Sequence, residues 1–129
     1  FKGSVLNLGD IQEFKTTFSS KFNFIFSDAA HTKEGLLSEY NNIYGDMLGS
    51  DFIIYFDDLD FPNLHDAASE IFADLHSKIP DVSFYTFKVF GWIGDYEPLH
   101  LNGIITNIDI ESKLFKDNLK LPNFEKANI

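Results

Sequence analysis

The sequence contains no cysteine and no arginine. Without cysteine there is no disulfide, no thiolate-ligated zinc or iron–sulfur site and no thiol nucleophile. Ten lysines supply all of the basic charge, so the planar guanidinium fork that binds phosphate through paired hydrogen bonds is absent. These absences exclude a disulfide scaffold and fit the reducing cytoplasm, which is the location we expect.

Long apolar segments are also absent. No apolar run reaches the roughly 18 residues that a membrane helix needs, and residues 1–10 lack the basic start and continuous apolar stretch of a signal peptide. We therefore expect no membrane partner. The 129 residues, 44% of them hydrophobic and 15 of them phenylalanine, suit one domain over residues 1–129 that folds around an aromatic core without metal or cofactor.

Basic residues are missing from the middle of the chain. Twenty acidic residues against ten lysines give a net charge of −10, and no basic residue lies between Lys33 and Lys78. That span holds ten of the acids, so it carries the whole net charge. A basic surface for direct nucleic-acid binding is excluded, and a basic protein partner is predicted. The ten acids are Glu34, Glu39, Asp46, Asp51, Asp57, Asp58, Asp60, Asp66, Glu70 and Asp74.

Apolar residues spaced three and four apart predict helices, and shorter β-rich runs predict strands. The predicted helices are one capped by Asp10, one over residues 33–48 closed by Gly49, one over residues 64–79 capped by Asn63 and stopped by Pro80, and a short one over residues 112–119. The predicted strands are residues 4–8 (weak), 22–26, 52–56, 82–89 and 99–110, the last two antiparallel, and residues 122–129 are expected to be a tail.

This order of elements predicts the fold class. We expect an α+β layered sandwich, in which two or three helices pack on a mixed sheet of four to five strands. The alternative is an α/β flavodoxin-like parallel sheet, against which the antiparallel final strands argue.

Motifs for catalysis are absent. The chain has no glycine-rich phosphate loop, no nucleophile-elbow serine and no His-Glu-x-x-His. Of the four histidines (His31, His65, His76 and His100), only the second and third share a predicted helix, where they lie about 16 Å apart. That pair cannot ligate one ion, so we predict neither a metal site nor an enzyme.

Three aspartates directly follow the predicted buried strand 52–56. Asp58-Leu59-Asp60 resembles the first motif of haloacid-dehalogenase-type phosphatases, although Phe61-Pro62 departs from the small or hydroxylic residue usual there. The resemblance implies an aspartate nucleophile. A small metal-dependent phosphatase or hydrolase using Asp57, Asp58 and Asp60 is therefore one alternative function, and a divalent-ion site or a solvated turn are simpler interpretations of the same residues.

Two further surfaces are candidates for binding. Asp66, Glu70 and Asp74 recur every fourth residue on the predicted helix, and this pattern is typical either of a solvated face or of a binding ridge. The loop of residues 91–98 mixes Trp and Tyr with carboxylates, as interface hot spots do, while burial of the Trp in the core is the competing interpretation. Its candidate residues are Trp92, Asp95, Tyr96 and Glu97.

The acidic loop and the helical ridge together resemble, in character, the immunity proteins that bacteria make against polymorphic or contact-dependent toxins. That resemblance implies a cytoplasmic protein that blocks the active site of a basic toxin domain, often a nuclease, by charge and shape complementarity. The alternative binding function is a phage-type anti-defence protein that mimics nucleic acid. The predicted partner-binding residues are Asp57, Asp58, Asp60, Asp66, Glu70, Asp74, Trp92, Asp95, Tyr96 and Glu97.

Overall fold

The computed structural model describes residues 1–90, 98–112 and 123–128. Within them, no helix is long and apolar enough to cross a membrane. The elements, in chain order, are α1 (Leu8–Thr17), β1 (Phe22–Ser27), α2 (Lys33–Glu39), a π-helical turn (Tyr40–Tyr44), a 3₁₀ turn (Gly45–Met47), β2 (Leu48–Phe56), α3 (Leu64–Lys78), β3 (Ser83–Phe90), β4 (Pro98–Thr106) and β5 (Glu125–Lys126).

The strands form one mixed sheet in the order β1-β2-β4-β3-β5. Only β1 and β2 are parallel, and the other neighbouring pairs are antiparallel. The α+β layered fold is thereby confirmed, including the antiparallel pairing of β3 with β4. The flavodoxin-like alternative is wrong, because three of the four strand pairs are antiparallel.

The core lies between this sheet and helices α2 and α3. Alternate residues of β2 (Phe52, Ile54 and Phe56) are at most 1% exposed, and they pack with the apolar stripe of α3 in one cluster. Each such side chain stabilises the fold by about 1.5–3 kcal/mol when fully buried. Ile53 and Tyr55 lie on the opposite face of the sheet, because successive side chains of a strand point to alternate faces.

The second predicted helix ends earlier than the sequence indicated. The α-helical part is Lys33–Glu39, and Gly49 lies inside β2 rather than at a helix end. Tyr40 and Tyr44 keep helical spacing and are buried, but the chain between them widens into the π-helical turn. A Cβ atom at Gly45 would lie 2.6 Å from the Tyr40 carbonyl oxygen, so this close approach requires glycine.

The predicted N-terminal strand over residues 4–8 is wrong. Residues 5 and 6 form a turn, and α1 begins at Leu8. Asn7, not Asp10, caps this helix, because its side-chain oxygen accepts a hydrogen bond from the Asp10 amide at 3.0 Å. The Asp10 carboxylate instead accepts a bond from the Ser4 amide at 2.7 Å and so closes the preceding turn.

Two other end assignments also change. Asn63 precedes α3 as predicted, but it is left-handed (φ 66°) and its side chain makes no capping bond. The predicted tail contributes β5, which pairs with Tyr85 and Thr86 of β3. Phe124 stacks on Tyr85 with ring centroids 5.2 Å apart. This contact stabilises the pairing of β5 with β3. Most of the predicted helix over 112–119 lies outside the described residues.

Candidate functional site

The loop after β2 presents Asp58 at the edge of the sheet. The Asp57 amide donates to the Ser27 carbonyl (3.2 Å), which extends the parallel pairing one residue beyond the strand. Asp58 is then left-handed (φ 53°), a conformation that Asp and Asn adopt more readily than most residues. Leu59 is buried, and its amide donates to the Leu101 carbonyl. The loop is therefore tied to β4, with Asp58 turned outward.

The Asp58 carboxylate lies between two imidazoles. Its Oδ1 is 3.0 Å from Nδ1 of His100, and its Oδ2 is 3.7 Å from Nε2 of His31. Asp28 also approaches His31, at 3.6 Å, and Asp60 accepts a hydrogen bond from the Leu101 amide at 3.3 Å. We call Asp28, His31, Asp58, Asp60 and His100 the Asp58 cluster.

Two overlapping groups within the Asp58 cluster each bring three potential ligand atoms close together. The ligand atoms of Asp28, His31 and Asp58 lie within 4.8 Å of one another, and so do those of Asp58, Asp60 and His100. Imidazole and carboxylate are ligands for ions such as Zn²⁺. In the hydrogen bonds of the described residues, no serine or threonine hydroxyl contacts either imidazole. These carboxylates and imidazoles could therefore bind a cation, either a metal ion or the charged side chain of a lysine or arginine.

Exposed aromatic rings lie beside this cluster and on the adjoining face of β1. Phe24, Phe26, Phe61 and Phe90 are 45–59% exposed, and we call these four the aromatic rim. Phe26 and Phe90 line a shallow cavity of about 290 Å³ together with Asp57, Asp58 and His100. Phe61 stacks on His31 at 4.8 Å between ring centroids. Rings and carboxylates thus share one surface at this end of the sheet.

The acidic ridge of α3 is partly paired within the molecule. Lys33 forms an ion pair with Glu70. Asp74 accepts hydrogen bonds from Lys78 Nζ (2.6 Å) and from the Tyr40 hydroxyl, which hold the pKa of its carboxyl below the usual range. The Asp66 side chain is exposed and forms no hydrogen bond or ion pair with the described residues, although its charge contributes to raising the pKa of Lys33.

The predicted loop and ridge are linked through a short segment at the start of α2. His31 contacts Asp58, and Lys33, two residues later, contacts Glu70. The two acidic sets therefore flank residues 31–33 on neighbouring surfaces. The other predicted surface, with Trp92, Asp95, Tyr96 and Glu97, lies outside the described residues.

Sequence reasoning missed the histidines and the aromatic rim. His31 and His100 were considered only for spacing along the chain, whereas the sheet brings both to one carboxylate. The alternation of Phe22, Phe24 and Phe26 predicts strand β1. It does not indicate that Phe24 and Phe26 remain exposed on this edge strand of the sheet.

Comparisons with known proteins add no assignment to this geometry. No protein-family model matches the sequence, and neither the curated proteins nor the solved structures contain a match to the chain.

Proposed function

We propose that this protein is an acidic binding protein that neutralises a basic partner, in the manner of an immunity protein that blocks a toxin domain. The observation that carries the proposal is the shared surface of the aromatic rim and the Asp58 cluster. This surface contains the predicted binding residues Asp57, Asp58 and Asp60.

The electrostatic part of the proposal rests on acids that have no lysine partner. Lys33 and Lys78 stand at the two ends of the acidic span in the sequence. Lys33 forms an ion pair with Glu70, and Lys78 forms one with Asp74. Asp57, Asp60 and Asp66 form no ion pair with the described residues, and the net charge of the chain is −10. A field of this sign attracts a basic protein and accelerates its association.

The apolar part of the proposal rests on the aromatic rim. Large aromatic side chains supply much of the binding free energy of protein interfaces, and a polar surround keeps water from them. Phe24 and Phe26 lie on the strand face that also carries Tyr55, with Phe26 and Tyr55 centroids 5.5 Å apart. A partner that covers these rings would remove apolar surface from water, worth about 25 cal/mol per Å².

The partner class follows from the combination of charge and apolar surface. A basic domain with apolar side chains around its active site complements both features, and blocking that site needs no chemistry from this chain. A nuclease toxin domain has this character, because an enzyme acting on nucleic acid must attract phosphate.

Coexpression with the product of the adjacent gene tests the proposal. If that product is toxic and basic, we expect this chain to restore growth and to copurify with it. A matched variant carrying Phe24→Ser and Phe26→Ser should lose both effects, whereas Leu8→Ser, at a similarly exposed residue of α1, should keep them. Hydrolysis of a phosphate ester by the pure chain, abolished by Asp58→Asn, would instead favour the phosphatase alternative.

A further inference from the structure

A second cavity of about 700 Å³ lies where α1, β1 and the π-helical turn meet. Its walls are largely apolar and include Phe14, Phe18, Phe22 and Ile43. Three polar side chains, Asp28, Glu39 and Tyr44, also line it. An apolar cavity of this size with few polar groups is the usual form of a ligand site.

Glu39 is a buried acid without a cation. Its exposure is 7%, and no lysine or histidine forms an ion pair with it among the described residues. Its Oε2 accepts a 2.5 Å hydrogen bond from the Ser27 hydroxyl. Burial raises the pKa of the Glu39 carboxyl. A buried carboxyl that makes one hydrogen bond is incompletely compensated for its loss of water.

Tyr44 supplies an independent observation. The side chain is 3% exposed, and its hydroxyl is buried with no hydrogen-bond partner among the described residues. Burial raises the pKa of this hydroxyl, and the charge of Glu39 raises it further, so the two groups are neighbours. Native proteins leave few such groups unsatisfied, and a ligand with hydrogen-bond donors and acceptors would satisfy both.

The rings beside these groups suit a positive charge. Phe14 lies 4.8 Å from Phe18 and 6.4 Å from Phe22, measured between ring centroids. Aromatic faces attract ammonium and guanidinium groups electrostatically, because the face of the ring carries partial negative charge. An anion is disfavoured at the same place, because Glu39 and Asp28 both line the cavity.

We infer that this cavity binds an organic cation, an ammonium or guanidinium group on an apolar body, with its charge on Glu39 and its body against the phenylalanine rings. The cation has two possible sources with the same chemistry. It can be a free small molecule, or the lysine or arginine side chain of a protein partner. The inference does not need the proposed function, and its test uses no partner protein.

The test is a titration of the ¹⁵N-labelled full chain, followed through backbone amide signals. The probes are choline, its neutral carbon isostere 3,3-dimethylbutan-1-ol, and the side-chain mimics Nα-acetyl-lysine amide and Nα-acetyl-arginine amide. We expect at least one cation to shift the amide signals of Phe14, Phe22 and Glu39, with affinity at least about tenfold above that of the neutral isostere. Binding of choline alone identifies a free small molecule, and binding of the amino-acid amides identifies a side chain.

Variants complete the experiment. Glu39→Gln should remove the preference for charge, whereas Glu34→Gln, at an exposed acid of the same helix, should keep it. Tyr44→Phe leaves Glu39 in place and should weaken cation binding several-fold, which keeps the test informative if Glu39→Gln does not fold. Equal affinity for the neutral isostere, an unchanged preference in folded Glu39→Gln, or no shift with any cation would overturn the inference.

Discussion

The imidazole Nδ1 of His100 lies 3.0 Å from Oδ1 of Asp58, although 42 residues separate them. Strand β4 returns antiparallel beside β2, and it brings His100 to the loop that follows β2. No sequence motif connects these two parts of the chain. Their contact forms part of the surface through which we propose that the protein binds a basic partner.

The left-handed backbone at Asp58 predicts which substitutions are tolerated. Asn adopts this conformation as readily as Asp, whereas Ala does so at a cost of about 1–2 kcal/mol. Asp58→Asn should leave the free energy of unfolding nearly unchanged, and Asp58→Ala should lower it by about 1 kcal/mol. Urea denaturation of both variants measures the difference. Equal stability of the two would show that the backbone strain is not present in solution.

Asp74 and Asp66 should differ in their effect on stability. Asp74→Ala removes the acceptor for Tyr40 and Lys78, so we expect a loss of about 1 kcal/mol, kept small by solvent exposure. Asp66→Ala should change stability by less than about 0.5 kcal/mol. Because the pKa of Asp74 is lowered in the folded state, its contribution is present at neutral pH and is lost as pH falls through that lowered value. Denaturant titrations at neutral and acidic pH check both statements, and equal losses would contradict them.

Glu39 should have the opposite pH dependence. Its pKa is raised in the folded state, so the folded chain retains a proton that the unfolded chain releases. Stability therefore falls as pH rises from the usual carboxyl pKa through the raised value, and it stays lower above it. Glu39→Gln should raise Tm more at about pH 7 than at about pH 4, while the exposed control Glu34→Gln should show no such difference. A Tm gain independent of pH would instead indicate that folding does not shift the pKa of Glu39.

The aromatic rim should matter for binding and little for folding. Phe24→Ser and Phe26→Ser replace rings that are more than half exposed, so each should change the free energy of unfolding by about 0.5 kcal/mol or less. Burial of the same rings in a complex should make each substitution cost more than about 1 kcal/mol of binding. Calorimetry with the basic partner measures the second quantity. A large loss of stability would instead identify the rings as part of the fold.

The elements with strong apolar periodicity could be predicted from the sequence. The stripe of α3 and the run Phe52 to Phe56 are long and regular, and both lie in the structure where the pattern placed them. Weak patterns failed. Residues 4–8 alternate too little between apolar and polar side chains to specify a strand. Strand β5 forms through its pairing with β3 and the contact of Phe124 with Tyr85, and a local sequence pattern does not reveal such tertiary contacts.

The candidate site was predictable only in part. The acids after β2 are visible in sequence, since acids that follow a buried strand lie at the end of a sheet. Their partners depend on tertiary structure. Lys33 binds Glu70 and His100 binds Asp58 because helix packing and strand order bring them together. The α3 ridge therefore has fewer unpaired carboxylates than the sequence alone indicates.

These internal pairs also change the choice of charge variants. Asp57, Asp60 and Asp66 are the acids of the loop and ridge that form no ion pair within the described residues, so their neutralisation breaks no internal ion pair. The side-chain oxygens of Asp57 and Asp60 accept hydrogen bonds from the Asp58 and Leu101 amides, and the oxygen of an introduced Asn can still accept them.

Control substitutions need exposed acids outside the acidic span or far from the loop. Glu111 lies outside the span but is unsuitable, because its carboxylate binds Lys126 and Tyr85. Asp51 and Asp81 are better controls because both are exposed. Asp51 lies in the first half of β2 and Asp81 just before β3, toward the ends of these strands that are remote from the Asp58 loop.

The most direct measurement is the association rate constant with the basic partner, determined by stopped flow between about 50 and about 500 mM NaCl. For the unchanged chain the rate constant should fall steeply with salt, by about tenfold or more. The triple variant Asp57→Asn, Asp60→Asn, Asp66→Asn should associate more slowly with a flatter salt dependence, and the double variant Asp51→Asn, Asp81→Asn should behave like the unchanged chain. Equal effects of the two sets, or no effect of either, would contradict an acidic binding face at the Asp58 loop.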